Sequence, residues 1–133
     1  MDTLFLLPKN LEYKYMEFIK YIWDSDNVAH VTLVVKDYPV EGVALDDLKP
    51  MIHEIREKSA GMIIKADLAG AGIVSIDRFK LIVKIVREVV DYTRDDNILK
   101  QIQFVNTGFI FRTLYGPISF AIPKYFRDIV VFL

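Results

Sequence analysis

The stretch from residue 61 to residue 92 constrains the fold most, because it joins a short apolar run, closely spaced glycines and a long amphipathic segment. Residues 62–68 are almost continuously apolar, which predicts a strand covered on both faces of a sheet. The glycines predict a turn, and Ser75 is a suitable helix N-cap because its hydroxyl can accept a free backbone N–H. Beyond Ser75, apolar residues recur every three or four positions. This spacing predicts one long helix, and the whole stretch predicts a sheet with covering helices.

Length and composition limit the chemical options of the chain. The 133 residues leave room for one domain, and 53% of them are hydrophobic, which is enough to bury a core. There is no cysteine, so disulfides and thiol chemistry are excluded. The net charge of −1 gives no support for nucleic acid as a partner. Neither a signal-peptide pattern nor a transmembrane run occurs, which predicts a cytoplasmic or intracellular protein.

The remaining segments alternate between strand and helix patterns. Strands are predicted at 28–35, 100–105 and 128–133, and helices at 45–58 and 109–126. Gly116 and Pro117 are expected to kink or split the second helix. We predict an α/β protein with a largely parallel or mixed sheet of four strands, in the order (α)βαβαβαβ. It is a single domain over residues 1–133, in which 1–27 form an N-terminal arm and helix and 28–133 the alternating core.

The segment from residue 10 to residue 23 fits two secondary structures. As a helix, it places Tyr15 and Ile22 on one face and its charged residues on the other. As a strand, it places Tyr21 and Trp23 among alternating aromatic positions, which favours β-structure. The charged residues separate better at helical spacing, so a helix is predicted and a strand is the alternative.

Polar residues follow the predicted parallel strands, at the ends where open α/β sheets bind ligands. Asp37, Asp67 and Asn106 stand at such ends and are expected to meet at one edge. Two carboxylates there could hold a hard cation or transfer a proton. The ends of any sheet are polar, however, and no catalytic residue, metal site or cofactor is predicted. The glycine turn before Ser75 approaches a dinucleotide-binding pattern, but a turn with glycines for backbone reasons is preferred.

An aromatic segment after the third of these strands is the most promising functional feature. It could form a pocket for a lipophilic ligand or a surface for a partner protein, and core packing is the favoured alternative. The candidate ligand-binding residues are Phe109, Phe111, Leu114, Tyr115, Ile118 and Phe120. The two histidines, His30 and His53, have no metal-binding spacing.

From residue 61 onward the chain resembles the core of the CRAL-TRIO domain, a family that transfers lipids and binds lipophilic ligands. The similar pieces are 63–70 (IIKADLAG), a strand ending in Asp and Gly; 102–106 (IQFVN), a strand ending in Asn; the helix 109–117; and the strand 129–133. The resemblance implies a related α/β fold and a lipophilic ligand.

The topology is also similar to that of STAS domains, the anti-sigma-factor antagonist group. In that group a serine at the start of the helix after a central strand is phosphorylated, and Ser75 occupies a comparable position. The resemblance implies that Ser75 is phosphorylated, and Ser75 together with the strand-end residues Asp67 and Asn106 makes up a predicted polar or phosphorylated site.

These observations predict a non-enzymatic module that docks onto another protein or belongs to a larger assembly or particle. The prediction rests on the lack of a catalytic constellation beside an excess of aromatic and aliphatic residues. A first alternative is a protein that binds an acyl chain or lipid near the aromatic segment. A second is an enzyme that uses the strand-end carboxylate of Asp67.

Overall fold

The computed structural model describes residues 3–5, 15, 17–39, 41–71, 76–119 and 122–133, but not the side chains of 3–5, 76–79, 110, 111, 114 and 118. Six described strands form one sheet, ordered as they occur in the chain. They are β1 (Thr3–Phe5), β2 (Ile19–Trp23), β3 (Val28–Val34), β4 (Gly61–Asp67), β5 (Leu99–Val105) and β6 (Val130–Phe132). The helices are α1 (Leu45–Lys58), α2 (Ile76–Thr93), α3 (Phe109–Ser119) and α4 (Lys124–Arg127), with a 3-10 helix at Val35–Asp37.

The sheet has a parallel part and an antiparallel part. Strands β3 to β6 are parallel neighbours, and helices lie in the connections between them. Strands β1 and β2 extend the sheet beside β3 in antiparallel fashion. The predicted mixed α/β fold is therefore confirmed. The four predicted strands are the parallel ones, and the sheet is wider than predicted by the two antiparallel strands.

One face of the sheet builds the hydrophobic core. Val31, Ile64 and Ile102 are neighbours across β3, β4 and β5, and all three are buried. The apolar stripes of α1 and α2 complete this core with Leu48, Met51, Ile52, Ile55, Ile82, Val83, Ile85, Val86, Val89 and Val90. Successive right-handed crossovers in one direction along a sheet place their helices on the same face, which explains this layer.

Helices α3 and α4 join the same layer. Tyr115 of α3 lies against the rings of Phe104 and Phe132, at centroid distances of 5.8 and 5.0 Å, on the face that also carries Ile102. Tyr125 of α4 donates a hydrogen bond to Asp91 of α2. All the described helices therefore lie on one side of the sheet.

The predicted helix over residues 10–23 is wrong for residues 19–23, which form β2. Tyr21 and Trp23 are buried while Lys20 is exposed, as strand alternation requires. Tyr21 donates a hydrogen bond of 3.0 Å to Glu54 of α1. Pairing with β1 and β3 and packing beneath α1 thus outweigh the helical separation of charges. Residues 10–14 and 16 lie outside the described residues.

The expectation that β4 is covered on both faces is also wrong. Ile63 and Lys65 of β4 are only half-buried, because the described helices lie on the other face. Strand β6 is a three-residue edge strand with half-buried side chains, and Leu133 beyond it is 60% exposed. A run of apolar residues predicts a strand, but it does not show which of its faces a helix covers.

A break at Gly116 and Pro117 does not occur, because α3 continues through both residues to Ser119. Pro117 stands in the last turn and has no N–H, so the helix lacks the hydrogen bond that this position would donate to the carbonyl four residues earlier. The Ser119 hydroxyl donates to the Gly116 carbonyl at 2.6 Å, which helps to satisfy the helix end. The predicted helix at 109–126 is thus α3 followed by the separate short helix α4, which begins after Pro123.

Candidate functional site

The face of the sheet opposite the helices carries a mixed set of half-buried side chains, and we call it the open face. By strand register it comprises Lys20, Ile22, His30, Thr32, Val34, Ile63, Lys65, Asp67, Gln101, Gln103, Val105 and Val131. All of these are half-buried except Lys20, which is exposed. No described helix lies on this face.

A row of polar residues crosses the middle of the open face from β2 to β5. Its members, which we call the polar band, are Lys20, Thr32, Lys65 and Gln103, each the register partner of the next. Gln103 donates to the side chain of Gln101 at 2.7 Å. Within the described part of the chain, neither Lys20 nor Lys65 has an ion pair or a side-chain hydrogen bond. The band therefore presents two ammonium groups that no described residue pairs.

Apolar residues flank the polar band on both sides. Ile22 and Ile63 stand in the row toward the amino ends of the parallel strands, on either side of His30. Val34 and Val105 stand in the row toward the carboxyl ends, on either side of Asp67. Both flanking rows are mixed, because His30 and Gln101 stand in the first and Asp67 in the second.

Asp24 holds one corner of the open face through a hydrogen bond with His30. Its Oδ2 lies 2.7 Å from His30 Nε2, and its Oδ1 accepts the N–H groups of Val28 at 3.0 Å and Asp26 at 2.9 Å. These bonds, that of Val28 first and that of His30 next, lower the pKa of the Asp24 carboxyl. The loop after β2 is thereby fixed against β3.

The structure brings together two of the three polar residues predicted at the carboxyl edge. Asn106 donates to Asp67 Oδ1 at 2.8 Å, and the Ala69 N–H donates to the same oxygen at 2.9 Å. No described hydrogen bond or ion pair joins Asp37 to them. Asp67 thus ties the ends of β4 and β5 together. Ser75, the third member of the predicted polar or phosphorylated site, lies outside the described residues.

Of the six residues predicted to bind a lipophilic ligand, the structure describes the side chains of two, Tyr115 and Phe109. Tyr115 packs on Phe104 and Phe132 and so belongs to the core. Phe109, by contrast, is 84% exposed at the start of α3. The side chains of the other four candidates, Phe111, Leu114, Ile118 and Phe120, lie outside the described residues. The apolar cavity that α1 and α2 form over the sheet measures only ≈ 20 Å³, too small for a lipid.

A larger groove, of ≈ 700 Å³, opens between the segment 38–47 and α2. The Tyr15 hydroxyl donates to Asp47 at 2.7 Å within it, and burial followed by this bond raises the pKa of Tyr15 to about 12. The charged residues of its lining are Glu41, Asp46, Asp47, Lys84 and Glu88. Its net negative lining disfavours anionic ligands. This groove was not predicted, because its walls come from three segments that are distant in the sequence. The acidic residues within 41–47 are a sequence signal for its negative lining.

Among the described residues, no three histidine, aspartate or glutamate side chains are placed to hold a metal ion. None of the helices they form is both long and apolar enough to cross a membrane.

The fold defines the class of protein to which this chain is similar. No known family matches the sequence, and no curated protein does. Among solved structures, the chain is similar to Sfh5, a protein of the Sec14/CRAL-TRIO family, with a TM-score of 0.57 and 15% sequence identity. The match covers 97% of this chain and 51% of the Sfh5 chain, so this chain spans about half of that length. The protein therefore has a distant CRAL-TRIO-like fold, while the STAS resemblance stays a prediction.

Proposed function

We propose that the protein is a non-catalytic interaction module that docks onto another protein through the open face of its sheet. The observation that supports this most is the one-sidedness of the fold. Strands β3 to β6 are parallel, yet every described helix lies on the same face. Parallel sheets are almost always covered by helices on both faces. An open face of parallel strands therefore favours a partner that supplies the second layer.

The composition of the open face supports a protein partner energetically. Ile63, Val34 and Val105 are half-buried and still keep part of their apolar surface in water. Covering each would contribute on the order of 1 kcal/mol at ~25 cal/mol per Å². The polar groups between them would supply orientation, as they do in most protein interfaces.

A site-specific cross-linking experiment tests the proposal. A photoreactive amino acid is placed at Ile63 on the open face or, as a control, at Lys80, which is exposed on α2. In cells that express the protein, we expect a discrete cross-linked partner from position 63 and none from position 80. The partner is then purified and titrated against the wild-type protein, Ile63→Asp and Lys80→Asp.

The titration decides whether the captured protein is a true partner. Ile63→Asp should weaken binding about tenfold or more, because an unpaired carboxylate in a dry interface costs ~1–3 kcal/mol. Lys80→Asp should leave the affinity within about twofold. Equal cross-linking from both positions, or equal affinity of both variants, would contradict docking through the open face.

A second candidate function is the binding of a lipophilic ligand, which the CRAL-TRIO-like fold and the exposed ring of Phe109 favour. If the protein carries such a ligand, organic extraction of the purified full chain should yield about one lipid per protein. Phe109→Ser should then reduce the lipid content, whereas Lys80→Ser should not. An extract without lipid, together with no binding of a fluorescent fatty acid, would exclude this candidate.

A further inference from the structure

The polar band limits what can cover the open face. Lys65 is half-buried at the centre of the sheet, between Thr32 and Gln103. An occupant that covers this ammonium group without a partner for it must desolvate an unpaired charge, which is costly. An acyl chain lying across the band would incur this penalty. The occupant must bring hydrogen-bond acceptors to the middle of the face.

Charge also disfavours a second copy of this chain placed on the first with the two polar bands face to face. A two-fold interface of that kind would oppose two polar bands, and each carries Lys20 and Lys65. Like charges across an interface cost binding energy. A nucleic acid is disfavoured too, because the chain has a net charge of −1 and the open face includes Asp67.

The dimensions of the open face match a single α-helix. Strands β3, β4 and β5 have seven residues each, so the face is about 23 Å long in the strand direction. A helix of about 15 residues has this length. Neighbouring rows of the open face are two strand residues apart, or about 6.6 Å. Four residues of a helix rise about 6 Å, so positions i, i+4 and i+8 of a helix fall on three successive rows.

We infer that the partner covers the open face with an amphipathic helix that has apolar residues at i and i+8 and a carboxylate at i+4. The inference rests on the proposed docking function and names the chemistry of the partner. The apolar residue at i contacts Ile63, and the one at i+8 contacts Val34 or Val105 beside Asp67. The carboxylate at i+4 pairs with Lys65, and Lys20 adds a second positive charge to the polar band.

A selection experiment tests this inference without knowledge of the natural partner. A display library of helical peptides of about 15 residues, randomised along one face, is selected on the full-length wild-type protein. We expect the binders to be enriched in Asp or Glu four residues from apolar positions on both sides. Their binding should fall at least about fivefold on Lys65→Glu and Lys20→Glu, and remain unchanged on the control Lys80→Glu. Amide chemical shifts should change along β3, β4 and β5.

Charge reversal gives the strictest form of the test. When the central acid of a selected peptide is changed to Lys, the peptide should no longer bind the wild-type protein and should bind the Lys65→Glu variant.

The inference would be overturned if no binder is selected, if the binders lack a central acid, or if neither lysine substitution changes their binding. Binding to phosphatidylserine vesicles that Lys65→Glu abolishes would also overturn it, in favour of a membrane. If position 63 cross-links to a partner while the charge tests fail, docking through the open face is still supported and only the inferred helix is wrong. If both fail, the proposed function falls as well.

Discussion

Ile63 and Ile64 are neighbours in β4 with the same side chain, yet they belong to opposite faces of the sheet. Ile64 is 3% exposed and lies under α1 and α2, between Val31 and Ile102. Ile63 is half-buried on the open face, between His30 and Gln101. The difference teaches that the side of the strand on which a residue lies, and not its chemical type, decides its role here. One face stabilises the fold, and the described helices leave the other uncovered.

The largest expected effect separates these two isoleucines. Ile64→Asp places a carboxylate in the core without a partner and should cost about 4 kcal/mol or more, enough to unfold many domains. Ile63→Asp remains in contact with water and should cost about 1 kcal/mol. Urea denaturation of both variants measures the difference. Similar losses would show that the open face is covered and would undermine the proposed docking function.

The next effect compares the middle of the covered face with its edge. Phe104 is fully buried on β5, and the half-buried ring of Phe132 on β6 stacks on it at a centroid distance of 5.6 Å. Phe104→Ala should cost about 3–5 kcal/mol through lost contacts and a cavity. Phe132→Ala should cost about 1–2 kcal/mol, because water can fill the space that the ring leaves at the edge of the sheet. Thermal unfolding of both variants checks this, and an equal cost would mean that β6 is as central as β5.

A smaller effect concerns the helical side at high pH. The pKa of Tyr15 is raised to about 12 by burial and by its hydrogen bond to Asp47. Since the folded value exceeds the unfolded value of about 10, the neutral phenol stabilises the fold below pH ~10, and this contribution is lost between pH ~10 and ~12. The stability of Tyr15→Phe should fall less steeply over that window. Denaturant midpoints from pH 8 to 12 measure the slopes, and parallel slopes would contradict the assignment.

The smallest effect belongs to the open face at low pH. The pKa of Asp24 is lowered by hydrogen bonds from the Val28 N–H and from His30. Because the folded value lies below the unfolded value of about 3.9, the stabilisation is present above that pH and is lost as the pH falls further. Asp24→Asn should therefore show a shallower loss of stability below pH 4. Chemical denaturation from pH 2 to 5 provides the test, and identical acid profiles would rule out a role for Asp24.

The polar edge of the sheet, the polar band and the groove beside α2 differ in whether the sequence alone could predict them. Asp67 and Asn106 were expected to meet because each follows a parallel strand, and the structure joins them by a hydrogen bond. The polar band was not predicted, because its four residues come from four strands whose register is set by pairing across the sheet. The groove of ≈ 700 Å³ beside α2 was not predicted for the same reason. Local spacing cannot report on contacts between distant segments.

The sequence alone determined the local elements wherever their periodicity is long. The helix α2 follows from apolar spacing sustained over the 18 residues of Ile76–Thr93, and α1 was predicted at its observed bounds. Tertiary structure decided the state of residues 19–23, which have both helical and strand patterns and became β2 when they paired with β1 and β3. It also decided which face of each strand is covered. Alternation gives a strand two faces, but only the handedness of the crossovers selects the one that receives the helices.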